Sequence, residues 1–188
     1  MRDEAARVLA VDRLGGYEPE IGTLLWMLEG GRRRLKEGLA GIDAAAEQTI
    51  LDWRPRPDSN SIGSLLYHIA AVETDWLFEE VLADYTPPAA VSWPEALLPH
   101  HMRDEQGQLA HVAGETPAMH WERLDAVRTL LLDAFRGMSV AEFRRPRHLE
   151  QYDVTPEWVL HHLIQHEAEH RGQILERREQ AERVLLAK

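Results

Sequence analysis

The stretch from Thr155-Pro156 to about Arg183 most constrains what this chain can fold into. A threonine followed by proline reads as an N-cap and a first helical residue that needs no amide partner. Beyond it, apolar residues recur on two sides of a helix. Val159, Leu163 and Ile174 share a side with His162, His166 and His170, and Leu160, Ile164, Ala168 and Leu175 cover the opposite side. A helix apolar on two sides is expected to be well buried among other helices.

Three further segments supply them. The first runs from about Pro19 to Ala40, with Ile21, Leu24, Leu25, Leu28, Leu35 and Leu39 as its apolar positions. Gly30-Gly31 weakens it, because paired glycines cost helix stability. The run Arg32-Arg33-Arg34 reads as a solvated face with aliphatic stems lying over the core. After the proline-punctuated connection Leu51 to Asp58, a second helix starts at Asn60 or Ser61 and continues to about Ala83. Its stripe is Leu65, Ile69, Val72 and Trp76, with His68 at the border, about 40° from Val72 at 100° per residue. The third helix opens on Thr116-Pro117, carries Leu124, Val127, Leu131, Ala134 and Phe135, and ends at Gly137.

Tyr85 to Gly114 is a long connection carrying His100, His101 and His111, with weak helical potential over Leu97 to Val112. Connections of this length serve as crossovers, lids or short extra helices. Ser139 to Asp153 is polar and holds Arg144, Arg145, Arg147 and His148, and a short leading helix is expected around Asp3 to Asp12, ending at Gly15-Gly16. No repeat and no strand-rich region stands out. The pattern predicts an all-α four-helix bundle with a long crossover between the second and third long helices, hence not a simple up-down-up-down order.

Composition narrows the function classes. A chain of 188 residues with 44% apolar and 28% charged residues fits one globular domain, here residues 1–188. The net charge of -11 disfavours nucleic acid and anionic membrane surfaces, both of which attract clustered Lys and Arg. No apolar run approaches the roughly 20 residues of a membrane span. Met1-Arg2-Asp3-Glu4 lacks an apolar signal core, so a cytoplasmic location is expected. With no cysteine, thiolate ligands and a cysteine nucleophile are excluded, and any reacting thiol must arrive as a ligand. Ten histidines and the carboxylates are the reactive inventory.

His162, His166 and His170 stand four residues apart, which stacks them on one helix face. Two imidazoles at that spacing can grip one metal ion. His166 and His170 lie on a face expected to point into the bundle, where imidazoles need a hydrogen-bond or metal partner. His162 and His170 are separated by about 12 Å of helix rise, too far to share one ion with His166. The third ligand of a site must then come from another helix, and His68 is the leading candidate, with a core histidine bonded to backbone as the alternative. His162 becomes a pocket residue, His161 a surface residue, and His100, His101, His111, His120 and His148 are expected to be solvated.

The chain resembles the DinB-like superfamily of bacterial metal-binding four-helix proteins, which includes YfiT-like proteins and thiol-dependent transferases. The resemblance rests on Leu51-Asp52-Trp53-Arg54-Pro55, on Asn60 through Ala70 with His68, and on Trp158 through Ile174 with His166-Glu167-Ala168-Glu169-His170-Arg171-Gly172-Gln173. It implies an up-down-down-up bundle and a divalent metal, zinc or nickel, held by His68, His166 and His170. It also implies a homodimer, and a metal-dependent enzyme acting on a small molecule. The better-defined relatives transfer or isomerise with a low-molecular-weight thiol activated as a metal-bound thiolate, and hydrolase labels also occur.

A site of three neutral histidines leaves coordination positions open, where an ion lowers the pKa of bound water or thiol. No general base is evident. Glu73, Asp75, Glu167 and Glu169 read as surface or bundle-edge carboxylates, although Asp75 could line a pocket, roughly 10 Å along the helix from His68. Arg171 or the Arg144, Arg145 and Arg147 group could receive an anionic substrate, with solvated loop charges as the blander reading. The competing class is a non-catalytic, stress-associated metal-binding protein.

Overall fold

The computed structural model describes residues 9–42, 44 and 46–186. In chain order its helices are α1 (Pro19–Leu39), α2 (Glu47–Asp52), α3 (Ile62–Asp75), α4 (Pro117–Phe135), α5 (Val140–Phe143) and α6 (Pro156–Leu185). A two-residue antiparallel ladder joins β1 (Arg147–His148) to β2 (Asp153–Val154). The fold is all-α. Of the leading helix expected over Asp3 to Asp12, residues 1–8 lie outside the described residues, and residues 9–12 are not helical.

The helix starts follow their caps. Ser61, not Asn60, caps α3, its Oγ accepting from the Ser64 amide at 3.1 Å. Thr116 and Thr155 cap α4 and α6 by accepting from Met119 and Trp158, each followed by proline at the first helical position. Gly137, with φ +77°, turns the chain out of α4 in a conformation that side-chain-bearing residues rarely adopt. The second long helix does not run on regularly to Ala83. After Asp75 it widens into a π-helical turn, Trp76–Val81, where the Leu82 amide reaches back five residues to the Leu77 carbonyl at 3.0 Å. The wider turn keeps Leu77 and Val81 inside.

α1 packs along α6, and α3 packs on both α4 and α6. One apolar cluster centres on Ile21, Leu25, Leu131, Phe135, Phe143 and Leu160, and another on Leu35, Leu65, Ile69, Leu124 and Ile174. α6 is buried on two sides only in its first half: Leu160 is fully buried and Ile164 packs against the core, whereas further along Ala168 and Leu175 are exposed and only the face that holds Ile174 stays inside.

A buried ionic lattice links all four long helices and corrects three readings of the sequence. Arg32 is no solvated residue but 4% exposed, and Glu73 and Glu167 are not edge carboxylates but 2% exposed. Arg32 Nε donates to Glu167 Oε1 at 2.8 Å and its Nη2 to Glu73 Oε2 at 2.9 Å. Arg128 Nε donates to Glu73 Oε1 at 2.6 Å, its Nη2 to Glu167 Oε2 at 2.9 Å, and its Nη1 to Glu29. Burial alone would raise the Glu73 carboxyl, but Arg128 and Arg32 outweigh it and hold the group below the usual range. Partners 41 and 135 residues apart leave no local pattern to read.

The crossover between α3 and α4 is a strap, not a helix over Leu97 to Val112. It holds a short 3-10 turn at Glu95–Leu97 and a bridge between Arg103 and Leu109. The Tyr67 hydroxyl pins it by donating to the His100 carbonyl at 2.5 Å and accepting from the His100 amide at 2.8 Å. Val112 and Gly114 amides donate to Ser64 Oγ and Asp52 Oδ2 at 3.1 and 3.0 Å. Arg147, expected in a solvated loop, is buried at the other end of the bundle against Asp84 and Glu142, with Nη2 2.7 Å from Glu142 Oε1.

His120, expected to be solvated, is 1% exposed at the start of α4. Its Nδ1 lies 3.4 Å from Glu115, which is itself held by both Arg123 Nη atoms. Burial is the main cause that lowers its pKa to about 4. Glu115 and Asp52 oppose the shift and Arg123 adds to it. The unfolded chain, with His120 near its ordinary value of about 6.5, takes up the proton first. His120 therefore contributes stability that is present above pH 6.5 and lost as the pH falls from 6.5 towards 4. Metal-free protein should lose more urea stability between pH 7 and pH 4.5 than His120→Gln, and equal losses would remove His120 as the titrating group.

Candidate metal centre

The central turn of α3 and the middle of α6 bring three imidazoles to one point. His68 is buried on α3, and His166 and His170 are half-buried one turn apart on α6. His166 Nε2 stands 3.2 Å from His68 Nε2 and 3.0 Å from His170 Nε2. All three ligand-competent atoms lie within 4.8 Å of one another. Nitrogens held tetrahedrally at about 2.0–2.1 Å from one zinc stand about 3.3 Å apart, close to these spacings.

The chemistry of the donors fits a cation. Gln173 Oε1 lies 3.1 Å from His170 Nδ1. As the acceptor it places the proton on Nδ1 and leaves the Nε2 lone pair facing inward, the orientation that a ligating imidazole needs. His68 Nδ1 is buried with no hydrogen-bond partner among the described residues, so nothing there supports a backbone-bonded core histidine. Burial, with the neighbouring His170 and Arg103 adding to it, lowers His68 to about 4, and burial followed by the flanking histidines lowers His166 to about 3. Burial also lowers His170. These shifts favour the neutral form of all three rings at neutral pH, the form that offers lone pairs to a cation.

The triad opens into a cavity of about 500 Å³. Asn60, just before the α3 cap, and helix residues Val72, Asp75, Trp76, His162 and Gln173 line it, and the strap closes one side with Met102, Arg103 and Leu109. Asp75 is a wall residue, as its spacing allowed, and burial followed by Glu79 raises its pKa. His162 does not join the triad. Its ring stacks on Trp158 at 5.2 Å and 5°, and lies 4.5 Å from Trp76 and 5.9 Å from His166. His161, His100, His101, His111 and His148 are exposed. The basic group of Arg144, Arg145 and Arg147 lies away from this cavity, and Arg145 and Arg147 are taken up by Asp84 and Glu142. Arg103 is the one guanidinium among the lining residues, and its Nη1 donates to the Gly107 carbonyl at 2.7 Å. Sequence reasoning passed over it because it sits in an irregular strap with no periodicity to place it.

The solved structures include one with the same fold, described as the crystal structure of the conserved protein of locus from Enterococcus faecalis. It has a TM-score of 0.55 and 18% sequence identity, and the alignment covers 88% of this chain and 96% of that one. No curated protein matches the sequence. The family model of the DinB superfamily matches residues 18–174, which include all three histidines and the four long helices up to Ile174 of α6. The chain belongs to the DinB superfamily.

Proposed function

We propose that His68, His166 and His170 hold a divalent metal, zinc or nickel, and that the protein is a metal-dependent enzyme on a small molecule. Either a low-molecular-weight thiol is transferred to an electrophile, or a bond is hydrolysed. The observation that carries this reading is the convergence of three imidazole Nε2 atoms, 3.0 and 3.2 Å apart, on the wall of an open cavity. A bound ion there supplies Lewis acidity, lowering the pKa of a thiol or water that reaches it. The chain's own residues do the rest. Gln173 fixes the His170 tautomer, Arg103 orients an anionic group entering at the mouth, and Asp75 holds or accepts a proton at the wall.

The same reading makes the molecule a single cytoplasmic domain with its long helices in up-down-down-up order, a homodimer without nucleic-acid or membrane partners. The net charge of -11 supports the last point, as does the absence, among the described residues, of any helix long and apolar enough to cross a membrane.

The test is thiol and electrophile turnover by zinc- and nickel-loaded protein, followed as loss of free thiol, beside release of product from simple ester and amide substrates. Metal-dependent consumption in either assay at a rate abolished by chelator is the expected result. Full metal occupancy with neither activity across a broad electrophile and ester panel would instead support the non-catalytic metal-binding protein.

A further inference from the structure

A second cavity shares a wall with the metal cavity. It encloses about 520 Å³, within the usual range for small-molecule sites, and is lined by Trp76, Pro146, Tyr152, Asp153, Val154, Thr155 and Trp158. The helices contribute the two tryptophans, and the β1–β2 hairpin with its flanks contributes the rest. Trp76 also lines the metal cavity. The π-helical turn begins at Trp76, whose indole lies 5.3 Å from that of Trp158.

We propose that this cleft binds a flat, uncharged aromatic group of the substrate whose reacting atom lies at the metal triad. The inference rests on the metal-dependent reading above and deepens it. Three observations carry it. First, the cleft is built of aromatic and apolar faces, although Trp158 stays 48% exposed in a position where a soluble domain would otherwise place a polar residue. Second, it carries little charge. Asp153 is the one carboxylate among the lining residues, its side chain is 62% exposed, and its Oδ1 is 2.9 Å from His148 Nδ1. Tyr152 is tied by its hydroxyl to Glu80 Oε1 at 2.7 Å, which occupies its polar end. No basic side chain lines it to hold an anion, and a neutral π-face finds several stacking surfaces. Third, the cleft lies next to the triad, joined to it by the shared Trp76 and by contiguous rings. Trp158 stacks on His162 at 5.2 Å, and His162 lies 5.9 Å from His166. An aromatic group seated on Trp158 therefore has its attached reactive centre within two ring steps of the metal ligands. This gives His162 a use: it backs Trp158 from the metal cavity, whose wall it forms beside the shared Trp76.

Naphthalene-2-carboxamide and its saturated counterpart decalin-2-carboxamide are the probes, titrated by calorimetry into metal-free protein. The flat amide should bind at least fivefold more tightly than the decalin. Trp158→Ala should weaken it about fivefold to tenfold, the size expected for one lost stacking partner, and Trp158→Phe should restore most of the affinity. Trp158 is half exposed, so its variants should keep the wild-type helical circular dichroism. Equal binding of the two amides, or unchanged affinity in Trp158→Ala, would overturn the cleft. Cobalt-loaded protein then tests its connection to the triad. Cobalt uptake is read by visible absorbance, and the NMR lines of the bound naphthyl amide should broaden in wild type. Uptake with probe binding but no broadening would overturn the placement beside the triad. Failure of cobalt uptake would count against the metal reading alone, and the calorimetry would still decide the cleft.

Discussion

Replacing His166 with alanine should lower affinity for zinc or nickel about a hundredfold or more, and His68→Ala should do nearly the same. Structural zinc sites with four ligands are worth about 10–16 kcal/mol, so one ligand accounts for about 3 kcal/mol, or roughly a hundredfold at 1.4 kcal/mol per factor of ten. His166 is the middle member, within 3.2 Å of both partners, so its loss leaves two imidazoles without a shared neighbour. Gln173→Leu should cost less, about tenfold, since it removes only the group that orients His170. The measurement is metal per chain after dialysis against a weak chelator. Retention of one equivalent by both alanine variants would show that the three histidines are not the site. Because the triad stands on the cavity wall, both variants should keep their helical circular dichroism.

Glu73→Ala should destabilise the fold by about 3–5 kcal/mol. Breaking a buried ion pair costs this much because the surviving partner keeps its charge without its counter-charge. Here two survivors, Arg32 and Arg128, would face each other beside Glu167. The loss is a large part of the about 5–15 kcal/mol that holds a typical domain together. An exposed pair is the control. Arg33 and Glu37 are 3.9 Å apart with side chains 63% and 66% exposed, and Glu37→Ala should cost well under 1 kcal/mol. Urea unfolding of the two variants gives the comparison. A loss below about 1 kcal/mol for Glu73→Ala would mean that the lattice is not a buried network in solution.

What could be read from the chain was what local rules govern. Thr116-Pro117 and Thr155-Pro156 mark helix starts because a cap and its proline act within four residues. His166 and His170 announce themselves because helix geometry alone puts them on one face. His68 was legible only in part: its helix and border position followed from periodicity, but its 3.2 Å approach to His166 depends on how α3 meets α6. What stayed hidden was non-local or irregular. The run Arg32-Arg33-Arg34 looks uniform, yet only Arg32 finds Glu73 and Glu167, because α1 turns that one residue toward the bundle axis. His120 looks like a polar residue at a helix start, and its burial comes from the strap folding over it. The π-helical turn at Trp76 has no signature in apolar spacing, and Arg103 lies where spacing carries no information.

Glu167 and His166 are neighbours on α6, so helix geometry points their side chains about 100° apart. The first is keyed by two arginines from α1 and α4, and the second faces the opening beside α3. A helix keyed at Glu167 is not free to roll about its axis, so the backbone of His166 and His170 stays in place beside α3. The bundle thus acts as a socket cut before its plug arrives. Loading and stripping the ion should leave the backbone where it is. On the proposed metal reading, exchange between zinc and nickel is then governed by the ligands and the supply of each metal, not by refolding of the chain.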